Sequence, residues 1–554
     1  MTDKSLLILS PLEMPTHPYA SVPQLIAAAE ASGCRVDGLD MNLEFHHWLF
    51  TRERMEETLR KARLLLQGEG GASSHDSPGA GKAAELLSSI DGMGEEFFSA
   101  LDVTDRRGRG LRLQAVKLAV SLAFCANGEE TVSGVFGNVS PGGADPYSSS
   151  SLCDSLKTGR GLLDDFYDSF LPGFFSGKTF LFAGISIPFA WQAEPALRLA
   201  ASIRRIVPGL PVVLGGSYVG MHLAETQTPE LFDYFDAMFV GRGERQVIEL
   251  HRAALSGWID FSTIDGSVYM QNGKVCRTPL GKILTLDEIP PPKLTFDRSR
   301  YFCTEADHFL RLQLSMGCSW ARCAFCNLSG CKLFPRQQAS VAEATRKVRS
   351  LLDQGIKRIF FGDDEADPGM LAEFAGAVIN EGLHFEWSIN LRFHPSMDMG
   401  WALLLKEAGC SRIFVGLEHF DERILENINK GTTVKLIDEC LDNLAWAGIP
   451  VTAYMMVGLP GESREDAERS FGELVGRVRE GLVDNAIYSV FSITPGSPMA
   501  ENPSRYGITK VHPPDGDLRP AIADFEHFGM SREEASSLAA RFEQIIAECR
   551  RKEG

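Results

Sequence analysis

Leu314-Ser315-Met316-Gly317-Cys318-Ser319-Trp320-Ala321-Arg322-Cys323-Ala324-Phe325-Cys326 places three cysteines within nine residues, spaced Cys-x4-Cys-x2-Cys. The apolar run 309–314 leads into them and reads as a buried strand, so the cysteines lie on the loop that follows it. Three thiols this close do not all pair as disulfides, but they can all point at one soft metal centre. Three thiolates suit a [4Fe–4S] cluster whose fourth iron stays open to a small molecule. A zinc knuckle is one alternative; zinc wants a fourth Cys or His, which Cys331 could supply. Three unrelated core cysteines is the other, and a non-enzymatic iron–sulfur or zinc-binding scaffold is the rival to an enzyme.

Downstream of the loop the pattern is regular. Helix 341–354 precedes strand 358–361, helix 368–381 precedes strand 384–390, and helix 398–408 precedes strand 413–417. Helices 422–428 and 434–447 precede strand 451–457, and helix 463–480 precedes strand 485–493. With the strand before the cysteines this gives six βα repeats over 308–505, a partial TIM-type (βα)6 barrel. Chemistry in such barrels gathers at the C-terminal ends of the strands. The residues placed there are Cys318, Cys323 and Cys326; Gly362, Asp363 and Asp364; Asn390 and Arg392; Glu418; Met456; and Pro495.

Upstream, strands at 6–10, 36–40, 179–186, 211–214 and 237–240 alternate with helices 22–32, 192–207 and 244–255. Five parallel strands with helices between them make an α/β doubly wound, Rossmann-like sheet, expected to span 1–260. The pattern is interrupted at about 48–175 by a mostly helical insertion: helices at 48–66, 83–101 and 110–126, with Gly/Ser/Pro-rich loops at 68–81 and 127–151. Ligands of such sheets sit beyond the carboxyl ends of the strands. Pro11, Ser186, Gly215, Gly216, Gly243 and Glu244 therefore share one rim. Residues 261–307, with Ile289-Pro290-Pro291-Pro292-Lys293, read as an extended linker. The tail, 506–554, reads as helical, with helices at 524–528 and 531–550.

A chain of 554 residues is too long for one core. Its 44% hydrophobic content and near-neutral mean hydropathy predict a soluble globular protein. No apolar run reaches spanning length, so no membrane partner is expected. A net charge of −18 argues against a nucleic-acid surface. The first residues lead into a strand rather than a signal peptide, and the 12 cysteines lack a disulfide rhythm, which points to the cytoplasm.

Two family resemblances bear on function. Ser186-Ile187-Pro188, followed after 26 residues by Gly215-Gly216, resembles the Ser-x-Leu…Gly-Gly signature of cobalamin-binding domains, with Pro188 in place of the leucine. The usual Asp-x-His-x-x-Gly of the lower cobalt ligand is missing; His17 lies in the corresponding loop without that Asp or Gly. Residues 310–500 resemble the radical S-adenosylmethionine (SAM) superfamily. Phe325 supplies its aromatic before the last cysteine, although the first gap is one residue longer than the familiar Cys-x3-Cys. Gly362-Asp363-Asp364, Gly416-Leu417-Glu418 with Lys430-Gly431, and Gly458-Leu459-Pro460-Gly461-Glu462 fall in the superfamily's order.

Together these resemblances imply a cobalamin-dependent radical SAM methyltransferase. The implied cofactors are a [4Fe–4S] cluster on Cys318, Cys323 and Cys326, SAM, and cobalamin. Asp364 would accept the ammonium of SAM, Asn390 and Arg392 would take its ribose and carboxylate, and Phe325, Gly362, Asp363, Glu418, Met456 and Pro495 would surround it. Pro11, Ser186, Gly215, Gly216, Gly243 and Glu244 would hold cobalamin. Two SAM molecules would be used, one to methylate the corrin and one as a source of radical. The substrate would be an unactivated carbon of a natural-product, peptide or cofactor precursor, and an external flavodoxin- or ferredoxin-type reductant would supply electrons. No catalytic residue beyond these ligands is assigned. Ring contraction, cyclisation, epimerisation or oxidation without methyl transfer is the alternative outcome of the same radical start.

Overall fold

The computed structural model describes residues 3–67, 78–103, 109–129, 131–133, 139–141, 143–157, 159–302, 309–328, 335–512 and 515–553. The chain forms two compact units. One comprises residues 1–284, 292–308 and 515–519, and the other 285–291, 309–514 and 520–554.

The first unit is built on a seven-stranded sheet: β1 (Lys4–Leu9), β2 (Arg35–Asp40), β3 (Ala183–Ser186), β4 (Val212–Gly215), β5 (Ala237–Phe239), β6 (Ser267–Gln271) and β7 (Lys274–Arg277). The order is β2-β1-β3-β4-β5-β6-β7, with β1 to β5 parallel. β1 is a continuous apolar run because helices cover both of its faces; Leu6 to Leu9 are all buried. The chain reverses its direction of travel across the sheet between β1 and β3, so the crevice beyond their carboxyl ends is the topological switch point.

Two sequence expectations are corrected here. The sheet is not all parallel: β6 and β7 form an antiparallel hairpin inside the stretch read as linker. Its turn, Asn272-Gly273, has positive φ at both residues, which is the turn that closes a two-residue hairpin. The insertion is largely helical, with Arg52–Gln67, Pro78–Met93, Glu95–Leu101, Arg109–Ala126, Ser149–Lys157 and Leu162–Phe175. The loop expected at 68–81 is cut short by the helix that begins at Pro78, and 68–77 lie outside the described residues.

The second unit carries a six-stranded parallel sheet in sequential order: β8 (Leu310–Leu312), β9 (Arg358–Phe361), β10 (Glu386–Leu391), β11 (Cys410–Glu418), β12 (Val451–Val457) and β13 (Asn485–Val490). Helices between the strands open on side-chain caps from Ser340, Asp367, Asp398, Asp421, Thr433 and Ser463, each accepting a first-turn backbone N–H. These caps fix where each loop ends and hold the loops at the C-terminal mouth of the sheet. The tail departs from its helical expectation. Ile508–His512 (β14) and Asp524–His527 (β15) form an antiparallel hairpin, and among the tail's described residues only Arg532–Glu553 is an α-helix. In Asp524–His527 burial alternates every second residue, a strand period rather than a helical one. No helix among the described residues is long and apolar enough to cross a membrane.

Candidate functional site

The cysteine loop leaves β8 and is clamped by three consecutive acids that leave β9. Asp363, which is 1% exposed, accepts hydrogen bonds from the Leu314 N–H (2.9 Å), the Ser315 N–H (2.8 Å) and the Ser315 hydroxyl (2.9 Å). Burial pushes its carboxyl up to about 7, against the pull of these donors. Asp364 accepts from the Gly317 N–H (2.9 Å), and burial raises its carboxyl as well. Glu365 accepts from the Ser319 N–H (2.7 Å) and the Ser319 hydroxyl (2.9 Å). The acids thus tie down the loop on both sides of Cys318. The sequence pattern places Asp363 around SAM and does not single out Glu365; the structure spends both oxygens of Asp363 on loop donors.

The second half of the loop rests on the segment after β11. Ala324 N–H donates to Ile428 O (2.8 Å), Trp320 Nε1 to Asn429 O (2.9 Å) and Asn429 Nδ2 to Arg322 O (2.8 Å). The longer first gap contains Ala321 at φ 42, a left-handed residue without glycine's freedom. Burial raises all three thiols, Cys323 to about 11, and on Cys323 the charges of Lys430 and Arg392 act in the opposite sense. All three are free thiols. Cys331, the fourth ligand that zinc would need, lies outside the described residues. Among those residues no group of three or more His, Cys, Asp or Glu converges as on a single ion. A cluster, whose ligands bind separate iron atoms, does not need that convergence.

A buried ion pair lies beside this loop. Lys430 Nζ is 2.6 Å from Glu418 Oε1, with the two side chains 6% and 9% exposed. The same ammonium sits 5.8 Å from the centroid of the Phe325 ring. Glu418 is left-handed at φ 69, where β11 breaks register against β12. Arg392 donates through Nη2 to Lys430 O (2.5 Å) and lies 4.8 Å from the Trp320 ring centroid, while its Nε–H is buried without a partner. Thr432 Oγ1 is likewise buried and unpartnered. Asn390 donates to Asp363 O (3.1 Å) and accepts from the Tyr454 hydroxyl (3.3 Å). Glu418 is thus a partner of Lys430, a residue the sequence flagged only as part of a motif. Gly362 follows β9, Met456 is in β12 and Pro495 follows β13, all at the same mouth.

The Gly458–Glu462 segment has a structural explanation. Glu462 accepts the Gly458 N–H (2.6 Å) and the Leu459 N–H (2.8 Å) on one oxygen. Its other oxygen takes His419 Nε2 (3.2 Å). His419 Nδ1 accepts from Asp421 N–H (2.9 Å), which places the ring proton on Nε2. This fully buried pair joins the turns after β11 and β12.

In the first unit, the switch-point rim is close-knit. Ser10 N–H donates to Ser186 O (3.2 Å), Gln192 Nε2 to Ser10 O (2.8 Å), and the Ser186 hydroxyl to Ser21 Oγ (3.0 Å). Gly216 is needed for packing: at φ 111, a Cβ there would meet Ile187 O at 2.5 Å. Glu244 is held by Arg242 at 3.0 Å, and a Cβ on Gly243 would meet Leu25 at 3.1 Å. Gly215 and Gly241 are different, since a Cβ on either would meet nothing within 4 Å. Open space therefore borders the ends of β4 and β5. Pro11 follows β1 on the same rim, and His17 Nδ1 lies 2.9 Å from Thr16 Oγ1.

Residues 312–474 match the Radical SAM superfamily. The matched stretch contains all three cysteines and makes up less than a third of the chain. The match begins at the last residue of β8, just before the cysteine loop, and runs past β12. The chain is 28% identical over 315 residues to an uncharacterised methyltransferase of Pyrococcus horikoshii, spanning 55% of this chain and 66% of that protein. It is 26% identical over 295 residues to the anaerobic magnesium-protoporphyrin IX monomethyl ester cyclase of Rubrivivax gelatinosus, spanning 51% of this chain and 52% of the cyclase. The chain thus spans between half and two thirds of these curated relatives. The fold is that of TsrM from Kitasatospora setae, a radical SAM methyltransferase solved with cobalamin and a [4Fe-4S] cluster: TM-score 0.57, 16% identity, 93% of this chain and 82% of that one. It is also that of OxsB, a cobalamin-dependent SAM radical enzyme: TM-score 0.58, 13% identity, 97% of this chain and 66% of OxsB. Both likenesses extend beyond residues 312–474 to the Rossmann-like unit.

Proposed function

We propose that this chain is a cobalamin-dependent radical SAM methyltransferase acting on an unactivated carbon of a small molecule. The observation that carries the reading is the three-cysteine loop at the C-terminal mouth of a six-stranded parallel sheet, braced by Asp363, Asp364 and Glu365. Cys318, Cys323 and Cys326 would hold a [4Fe–4S] cluster. Arg392, with a buried donor unused, fits the carboxylate of SAM, and Asp364 its ammonium. Asn390 would meet the ribose, with Phe325, Gly362, Met456 and Pro495 around it. The open space at Gly215 and Gly241 fits a bulky corrin at the switch point, bordered by Pro11, Ser186, Gly216, Gly243 and Glu244. When bound, these groups supply one-electron cleavage of a sulfonium and a transferable methyl group.

The chain's own residues supply position and charge. The acidic brace fixes the cysteine loop before any ligand arrives. Lys430 brings a positive charge to a site that three thiolates would make negative, and Glu418 holds that ammonium in place. Burial of the pair and of Cys323 keeps water from the site. An external one-electron donor of flavodoxin or ferredoxin type would complete the reaction.

The relationship to a cyclase supports a second reading, radical chemistry without methyl transfer. Anaerobic reconstitution with iron, sulfide and hydroxocobalamin, then incubation with dithionite and methyl-deuterated SAM, separates the readings. Corrin retention, release of 5′-deoxyadenosine and deuterated methyl in a product are expected. 5′-Deoxyadenosine without corrin would favour the second reading. Undiminished iron loading after alanine replacement of each of Cys318, Cys323 and Cys326 would overturn both.

A further inference from the structure

The inner face of the barrel sheet indicates what the enzyme acts on. Arg311 of β8 pairs in register with Phe360 of β9, so the two share a face opposite to the buried Leu310 and Leu312. Phe360 meets Phe414 edge-on at 5.6 Å, although β10 lies between their strands. Contact over an intervening strand, about 9.6 Å between backbones, brings the two rings to lean toward one another on this face. Phe414 in turn stacks on Tyr454 of β12 at 6.1 Å and 22°. Phe360, Phe414 and Tyr454 thus form a continuous aromatic wall on the inner face, and none of them is fully buried.

Among the described residues, the charge on this face is unbalanced. Glu418 is matched by Lys430, and Arg412 by Asp484 at 2.5 Å. Arg311 is exposed, lies 5.1 Å from the Phe360 centroid, and has no carboxylate partner among the described residues. Its methylene stem passes Gly362, where a Cβ would lie 3.8 Å from Arg311 Cδ. Burial raises the Tyr454 phenol, and the Arg311 charge acts against that rise. Among the described residues this cation on the inner face has no ion-pair partner, in a chain whose net charge is −18.

Resting on the radical SAM reading above, we propose that the substrate is a planar, conjugated ring bearing a carboxylate, with the ring against Phe360, Phe414 and Tyr454 and the carboxylate on Arg311. A flat ring matches an aromatic wall through offset or edge contacts. A guanidinium takes a carboxylate through two parallel hydrogen bonds, which gives orientation as well as affinity.

The test is direct binding to the full reconstituted chain under anaerobic conditions, by titration calorimetry, with three probes. Indole-3-acetate has both ring and carboxylate, indole has the ring alone, and cyclohexaneacetate has the acid without a flat ring. Indole-3-acetate should bind at least about 10-fold more tightly than either, as expected for a charge-assisted bidentate contact. Arg311→Gln should abolish its advantage over indole, and Arg311→Lys should keep part of it. Phe414→Leu should shrink its advantage over cyclohexaneacetate. Equal binding of all three, no binding of indole-3-acetate, or an unchanged preference in Arg311→Gln would overturn the proposal. 5′-Deoxyadenosine release without substrate, assayed on the same samples, reports the radical SAM reading separately.

Discussion

At the scale of single residues, the pair Glu418–Lys430 is the most exacting feature of the barrel. Two charges, each less than a tenth exposed, are tolerable there only because they neutralise one another at 2.6 Å. Lys430→Met should destabilise the second unit by about 3–5 kcal/mol, because it strands the Glu418 carboxylate in a dry site. Adding Glu418→Gln should recover most of that loss while leaving the protein impaired in SAM cleavage. Urea unfolding of the single and double variants checks this, and a single variant as stable as the parent would refute the electrostatic account. The sequence shows both residues but not their contact. Twelve positions separate them, and their meeting depends on the left-handed backbone at Glu418 and on the turn that returns Lys430 to the mouth.

At the scale of elements, the loop after β8 and the loop after β9 behave as one unit. Asp363 satisfies donors at Leu314 and Ser315, Asp364 at Gly317 and Glu365 at Ser319. Asp363→Asn would offer one acceptor oxygen and would turn an N–H₂ toward groups that are themselves donors. Hydrogen bonds to a charged group are worth about 1.5–3 kcal/mol each, so the loop should loosen markedly. The expected result is several-fold less iron retained after reconstitution and gel filtration, with unchanged far-ultraviolet circular dichroism. Glu365→Gln should have a smaller effect, since it reaches only Ser319. Full iron retention in Asp363→Asn would show that the brace is dispensable. Other elements were readable because their signals are local, as in the barrel helices that open on Ser, Thr and Asp caps; the Asn272-Gly273 turn carries a local hairpin signal that the linker reading of 261–307 missed. The tail hairpin had no such signal; β15 exists because β14 offers it an edge.

At the scale of the whole molecule, the two units should load their ligands separately. Gly215 borders open space and its φ does not require glycine, so Gly215→Phe should leave the sheet intact while filling the region where a corrin would sit. That variant should lose hydroxocobalamin absorbance but keep its iron, whereas Cys323→Ala should do the reverse. Wild-type corrin binding by Gly215→Phe would move the corrin elsewhere on the rim. By itself, the sequence determined the α/β alternation in both halves, the cysteine loop and the strand ends on which candidate residues fall. Those follow from short-range periodicity, capping and spacing, which any stretch of chain carries within itself. Only the tertiary structure decided that Asp363 serves the loop, that Glu418 belongs to Lys430, that Gly216 is there for packing, and that Arg311 lies beside the aromatic wall with no ion-pair partner among the described residues. Each of these depends on groups distant in sequence being brought within a few ångströms, and hydrogen bonds and ion pairs act only over such distances.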